Sequence, residues 1–578
     1  MMLTLYFSRV ELMKGMKKSK NISRYEKWEV LGRIPEKVKA SDEDIVNVLL
    51  KNRGLKTKKE KEEFLKPKLP VKLRLKDAGL KKVKVKKAIT RLKKAFKDKE
   101  KIVIYGDYDA DGVCATAILW EALYYLGFKV VPYIPERFEE GYGLNSKSIE
   151  KIKSDGGVDI IITVDNGIVA NDAVQKANEL GIDVVVTDHH QEGKKLPGAF
   201  SIIHTTNIGG AGIAWFFARE LRKEFESAIK NGYGGGLDLA AIGTVSDQIP
   251  LLGVNRSLVK YGLEELKNTP RLGLLALFEK AGVKKSDIGV YDIGFIIAPR
   301  INAMGRMEHA INSLRLLCTK DKKRASKLAT LLNKTNFERQ KVVDEVLSHA
   351  QGLVSRNDWE GIIIVAHESY HEGVIGLAAS KIVEKYYRPA IVLSKGDEYS
   401  KASARSISGF NIIENIRKLG DYLENGGGHP MAAGFTIPTE KLDEFSEKLK
   451  KISSPLLTQE VLEKKLKIDM EIDFSKITDE LYTGLTAFEP TGIGNPTPSF
   501  IAKGVEVLDV RSVGRDASHL KMKLMQSDRV MDAIGFGFGD LTFNITPDSK
   551  LDIVFNIDEN YWNNVKSLQV KLKDVRIS

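Results

Sequence analysis

Three aspartates alternate along one short loop: Asp107, Asp109 and Asp111 in the peptide IYGDYDADGVCAT. Like charges this close raise one another's pKa, and a divalent cation removes that cost by supplying the opposite charge. A DxDxDG string alone also fits a calcium-type loop or a plain Asp/Gly turn, so further ligands decide the matter. They occur downstream as Asp165 in TVDNG, the run Asp188-His189-His190, and Asp247 in TVSD. A mixed Asp/His set without a thiol suits manganese first and magnesium next, while imidazole by itself also admits zinc or iron.

Each of these groups follows a short apolar run: KIVIY, VDIIITV, IDVVVT and LAAIGTV. Read as strands separated by amphipathic helices, the four runs predict a parallel α/β sheet. The first unit is the clearest, with a buried strand over Ile102 to Tyr105, a loop over Gly106 to Gly112, and a helix over Val113 to Leu126 stopped by Gly127. In an open parallel sheet the carboxyl ends of the strands share one edge, so the four clusters are expected to converge in one crevice.

At 578 residues the chain is too long for one core. Its spacing turns helical from about Pro270 to Gly352, a second α/β pattern runs from GIIIVAH (Gly361 to His367) to about Ile452, and short, evenly spaced strands after Pro455 predict a small antiparallel barrel. A hydrophobic fraction of 43% and a charged fraction of 29% fit a soluble protein. Two cysteines exclude a disulfide framework, and the lack of a long apolar run argues against an integral membrane protein. The net charge of +13 is concentrated early: residues 51–100 hold 21 Lys or Arg and 6 Asp or Glu. A run such as KKVKVKKAITRLKKAFKDK reads either as a solvated helix face or as a surface for a polyanion.

The four peptides GDYDADG, TVDNG, DHH and GTVSD resemble, in order, the successive motifs of the DHH phosphoesterases. Longer strings place the resemblance within the RecJ branch: RFEEGYGL, APRINAMGR, HEGVIGLAASK, SARSISGF, GGGHPMAAG and GIGNPTPSF, covering the chain from about Trp28. Two places depart from the pattern. The stretch after His190 is short and lacks an Asn-Pro pair, and Met304 stands where a small residue is usual, which bears on loop shape and substrate fit.

The resemblance implies five segments: a basic N-terminal segment (1–80), a DHH domain (81–268), a helical connector (269–352), a DHH-associated domain (353–455) and an OB-fold (456–578). It implies two divalent cations held by Asp107, Asp109, Asp111, Asp165, His189 and Asp247, with Asp165 as bridge and His190 as a further catalytic residue. It implies substrate contacts from Arg137, Arg300, Asn302, Arg306, His371, Ser403, Arg405, Gly427, Gly428 and His429, the arginines being suited to phosphate. The implied activity is 5′ to 3′ hydrolysis of single-stranded DNA to 5′-mononucleotides. It would be cytoplasmic, in repair and recombination, beside a helicase and a single-strand-binding protein. The alternatives are a DHH phosphodiesterase of short oligonucleotides or cyclic dinucleotides, and a catalytically silent DNA-binding scaffold.

Overall fold

The structure is a computed structural model that describes residues 22–34, 41–225, 235–354, 361–562 and 565–578. Two compact units divide the chain: Lys66–Leu462 with Pro490–Asn495 in one, and Met1–Leu65, Glu463–Glu489 and Pro496–Ser578 in the other. The segment 1–80 is therefore shared between them. Its strand β1 (Lys27–Gly32) and helix α1 (Asp42–Asn52) belong with the C-terminal residues.

The larger unit opens with α2 (Lys82–Asp98), an amphipathic helix that buries Val85, Ala88, Ile89, Leu92 and Ala95 and leaves its lysines in solvent. The parallel sheet follows: β2 (Lys101–Tyr105), β3 (Lys129–Tyr133), β4 (Ile160–Val164), β5 (Asp183–Asp188) and β6 (Ser201–His204), in the order β3-β2-β4-β5-β6. The strand order reverses beside β2, which makes the carboxyl ends of β2 and β4 the crevice where ligands of such sheets bind.

Three helices pack as a buried group behind that crevice: α3 (Ala110–Leu126), α4 (Gly210–Glu224) and α5 (Leu237–Ser246). Gly127 ends α3 with φ +91°, a left-handed cap that glycine adopts without a Cβ clash. Helix α5 corrects the sequence reading, in which LAAIGTV is a strand. Its residues Leu237 to Val245 are buried on every face, and an apolar run of that kind has no periodicity that separates a core helix from a core strand. Asp247 therefore follows a helix, as its C-cap, and the fifth strand is SIIH instead.

A helical connector follows, including α6 (Leu272–Ala281), α7 (Ala298–Met307) and the 33-residue α8 (Lys322–Val354). Met304, on α7, is fully buried in the core. The second α/β layer consists of β7 (Ile363–His367), α9 (Ile375–Tyr386), β8 (Ala390–Ser394), β9 (Tyr399–Arg405), β10 (Asn425–His429) and β11 (Ala432–Pro438). Its sheet order is β10-β11-β9-β8-β7, and only the β7–β8 pair is parallel.

The smaller unit is built on β12 (Lys465–Glu471), β13 (Phe500–Val513), β14 (His519–Gln526), β15 (Arg529–Gly535), β16 (Lys550–Trp562) and β17 (Val565–Ile577). Strands β13-β14-β15-β17-β16 close on themselves through β13–β16 pairing, giving a five-stranded OB-type barrel. The expected antiparallel pairing holds except between β15 and β17, which run parallel. β12 extends from β13, and β1 adds to β12 in parallel. Trp28 anchors β1 by donating its indole N–H to the buried Asp574 carboxylate at 2.7 Å. No helix among the described residues is long and apolar enough to cross a membrane.

The exposed lysines of α2 allow a clean test of the two readings of the basic segment. Changing Lys82, Lys84, Lys86, Lys94 and Lys97 to Gln should leave the melting temperature within a few degrees. It should also weaken single-stranded DNA binding and flatten its log–log salt dependence by about 0.7 for each phosphate no longer neutralised. An unchanged slope would leave this face merely solvated.

Candidate metal centre

The centre begins where β2 ends. Asp107 is buried, and its carboxylate accepts from the Tyr108 N–H at 2.7 Å. Asp109 caps α3 by accepting from the Gly112 N–H at 2.9 Å. Asp111, in the first turn of α3, accepts from the N–H groups of Gly210 and Ala211 at 2.7 and 3.0 Å, so the amino end of α4 faces its charge. Two glycines are required by this closeness. A Cβ on Gly210 would lie 2.5 Å from Asp165 Oδ1, and one on Gly243 would lie 2.2 Å from Asp111 Oδ1.

Asp165 follows β4 with φ +65°, a left-handed conformation for a non-glycine residue. Such conformations persist where the surroundings over-determine them and are typical of functional sites. Asp188, at the end of β5, is the organiser of the histidines. Its carboxylate accepts from the backbone N–H groups of Ile168, His189 and His190 and lies 2.8 Å from His190 Nδ1. Tyr142 Oη sits 3.1 Å from the other His190 nitrogen. The His189 ring lies 4.5 Å from that of His190, centroid to centroid, with Nε2 3.0 Å from Asp165 Oδ1 and 3.5 Å from Asp247 Oδ2.

The structure thus gathers Asp107, Asp109, Asp111, Asp165, His189, His190 and Asp247 in one place. Three overlapping groups have ligand atoms within 4.8 Å of one another: Asp107-Asp109-Asp165, Asp111-His189-Asp247 and Asp165-His189-His190. Asp165 Oδ1 is buried and accepts no hydrogen bond. His189 Nε2 is close to it without donor alignment, so both atoms offer lone pairs to shared space. This is the donor chemistry of a hard or borderline divalent cation, and the residues fit one.

Electrostatics point the same way. Burial, and then the Asp109 charge, pushes the Asp111 carboxyl up to about 7. Burial followed by Asp111 pushes Asp247 up to about 8, and burial raises Asp107 and Asp165 well above the usual carboxylate range. Burial lowers His189 to about 4, with His190 adding to the effect, so its imidazole is neutral and able to ligate. Burial opposes the charge on His190, yet the hydrogen bond and charge of Asp188 overcome it and raise His190 to about 9.

A second feature adjoins the carboxylates. A cavity of about 340 Å³ is lined by Tyr108, which sits between Asp107 and Asp109, and by Arg137, Arg306, Ser403 and Arg405. The Arg137 guanidinium lies 4.9 Å from the Tyr108 ring centroid. Arg405 donates to Ser403 Oγ at 3.0 Å and to its neighbour's carbonyl, and Arg306 to the Gly373 carbonyl at 3.3 Å. Among the described residues, none of the three arginines is within ion-pair distance of a carboxylate. Burial and the nearby Arg137, Arg339 and Arg405 lower Arg306 to about 10, the mark of a cation cluster lacking an anion. The amino end of α9, at Ile375 and Gly376, also lines the cavity.

The other residues expected to touch substrate stand outside this lining. Asn302 braces the aspartate loop, its Oδ1 accepting from the Ala110 N–H at 2.7 Å. Arg300 is turned to the Ile296 carbonyl and Asn333. His371 Nδ1 accepts from the Gly373 N–H, and its ring meets Phe138 edge-on behind the cavity wall. Gly427, Gly428 and His429 lie on the exposed edge strand β10, beside the cavity-lining Gly434 of β11. The sequence reading assigned no role to Tyr108, and it counted Asp188 only within a run of candidate ligands, not as the partner that orients His190. A carboxylate immediately before two histidines at a strand end was the available signal for Asp188.

The carboxyl shifts give a pH prediction. Groups whose folded pKa lies above the unfolded value stabilise the fold at low pH, and the contribution is lost as pH rises from about 4 through 7 to 8. The metal-free protein should therefore lose melting temperature between pH 6 and pH 8.5, and added Mn²⁺ should raise it more at pH 8.5 than at pH 6. Equal increments at both pH values would contradict a carboxylate-held cation.

Comparison with known proteins agrees with this geometry. The DHH family N-terminal domain matches residues 101–244, the DHHA1 domain residues 360–454, and the RecJ OB domain residues 468–574. The single-stranded-DNA-specific exonuclease RecJ of Bacillus subtilis (strain 168) is 37% identical over 573 residues, covering 96% of this chain and 71% of that one. The crystal structure of RecJ in complex with Mn²⁺ from Thermus thermophilus superposes with a TM-score of 0.80 at 29% identity, over 96% of this chain and 80% of that one. Its Mg²⁺ complex gives 0.74 at 28% identity, over 96% and 78%. Three domain matches in the right order, with identity along nearly the whole chain, establish that this chain belongs to the RecJ family of DHH phosphoesterases.

Proposed function

We propose that the chain is a single-stranded-DNA-specific exonuclease that removes 5′-mononucleotides in the 5′ to 3′ direction. The observation that carries this is the adjacency of two features through Tyr108: a divalent-cation site and a cavity whose arginines have no carboxylate partner among the described residues. One is suited to phosphodiester hydrolysis and the other to a terminal phosphate. Family membership supports the same reading.

Asp107, Asp109 and Asp165 would hold one divalent cation and Asp111, His189 and Asp247 a second, with Asp165 shared, manganese preferred and magnesium admissible. When bound, such a pair supplies hydroxide from water near neutral pH and neutralises charge on the attacking and leaving oxygens. Arg137, Arg306, Ser403 and Arg405 bind the 5′-phosphate and so place the first internucleotide phosphate at the carboxylates. Asp188 keeps His190 charged and oriented as the acid nearest the leaving 3′ oxygen. Water's oxygen bonds to phosphorus, the P–O3′ bond breaks, and the 3′ oxygen takes up a proton. The released nucleotide keeps its own 5′-phosphate, and the shortened strand carries a new one. The protein would act in the cytoplasm in repair and recombination, beside a helicase and a single-strand-binding protein.

The test uses Mn²⁺ and end-labelled single-stranded DNA, with matching duplex and RNA. Immediate release of the 5′-labelled mononucleotide with duplex spared is expected. Asp165→Ala should lower the rate by about 100-fold or more while leaving DNA binding largely intact. Cleavage at the wild-type rate by the pure variant would overturn the metal assignment. Stable binding without cleavage by the native protein would favour a silent scaffold, and activity confined to the shortest oligonucleotides a small-substrate phosphodiesterase.

A further inference from the structure

The arginine cavity does not end at its arginines. Lys401, Ser403 and Arg405 are alternate residues of β9 and share its less buried face, which puts the Lys401 backbone about 7 Å beyond that of Ser403. Lys401 lines the far end of the cavity together with Glu372, Asn425 and Thr436. Its ammonium is held by Glu372, with Nζ 2.5 Å from Oε2.

The two ends of the cavity therefore differ in charge. Near Tyr108, three arginines have no carboxylate partner among the described residues. At the far end, one lysine is neutralised by one glutamate. Size does not limit how many phosphates enter, because 340 Å³ is the share of roughly eleven waters in the liquid and one phosphate fills only part of it. Charge does: a phosphate beyond the arginines would meet a carboxylate and a lysine already engaged.

We propose that Glu372, through its pair with Lys401, is a specificity-determining residue that restricts the cavity to a terminal phosphate monoester and excludes a 5′-triphosphate. This rests on the reading of the cavity as the 5′-phosphate site. It also places the enzyme in a sequence of reactions. The strand it accepts is one whose end a hydrolytic cut has left as a monophosphate, which is also what each of its own cycles regenerates. A strand end still carrying a triphosphate must first be trimmed by a pyrophosphate- or phosphate-releasing hydrolase.

The experiment compares one oligodeoxynucleotide bearing a 5′-hydroxyl, 5′-monophosphate or 5′-triphosphate, labelled at its 3′ end. Removal of the first nucleotide is followed in a single turnover with Mn²⁺, and affinity is measured separately in EDTA by fluorescence anisotropy. The full-length native protein should prefer monophosphate over triphosphate by on the order of tenfold in both readouts. Glu372→Gln should narrow that ratio, and adding Lys401→Met to it should widen the ratio again by removing the freed ammonium. Equal use of triphosphate and monophosphate by the native protein, or an unchanged ratio in folded Glu372→Gln, would overturn the proposal. Indifference between 5′-hydroxyl and 5′-monophosphate would instead overturn the 5′-phosphate reading beneath it.

Discussion

Repulsion among buried carboxylates is the constraint on which the larger unit depends. Asp107, Asp111 and Asp165 are each at most 3% exposed, and charge held that close in a low-dielectric site is strongly unfavourable without compensation. Part of the compensation comes from the fold itself, where the first N–H groups of α4 meet Asp111. The glycines at 210 and 243, the left-handed Asp165 and the Asn302 brace follow from the same need, since each lets backbone or side chain come closer than ordinary residues permit. What remains uncompensated is the site's capacity for cations.

The same constraint separates the two histidines. Asp188 commits its lone pairs to the backbone of the loops after β4 and β5 and to His190, which keeps that ring charged, while His189, lacking such a partner and more deeply enclosed, stays neutral. Adjacent residues of one type thus take opposite protonation states, one suited to ligating and one to donating. The dipeptide could not reveal that division, which arises from the Asp188 carboxylate bonding one ring and not the other.

Much of the centre was legible in the sequence because strand ends in a parallel sheet must share an edge, so acidic residues after KIVIY, VDIIITV and IDVVVT had to meet. The reading failed where that logic had no hold. LAAIGTV is buried all round without a telling periodicity, and it folds as a helix packed against α3, α4 and the helix Gly253–Lys267. Arg300, Asn302, Arg306 and Met304 stand within seven residues of one another on α7, yet the helix sends Arg306 to the cavity, Asn302 to the aspartate loop, Arg300 to α8 and Met304 to the core. Motif membership identifies such a helix; helical phase decides what each residue does. Lys401 and Glu372 were illegible for another reason, since they meet only after β9 and the loop before α9 have folded together.

The strand β1 sets a schedule for biosynthesis. Trp28 and Asp574 are 546 positions apart, and at about 5 to 20 residues per second a ribosome needs roughly half a minute to two minutes to make the second after the first. For most of that interval the KWEVLG peptide has no β12 to pair with, and throughout it lacks Asp574; an unpaired strand is a template for pairing with other chains. Its alternation of charged and apolar residues, with Lys27 and Glu29 outward, keeps such a segment tolerable in water while it waits. The first strand among the described residues is thus completed only after the last strand of its own barrel has been made.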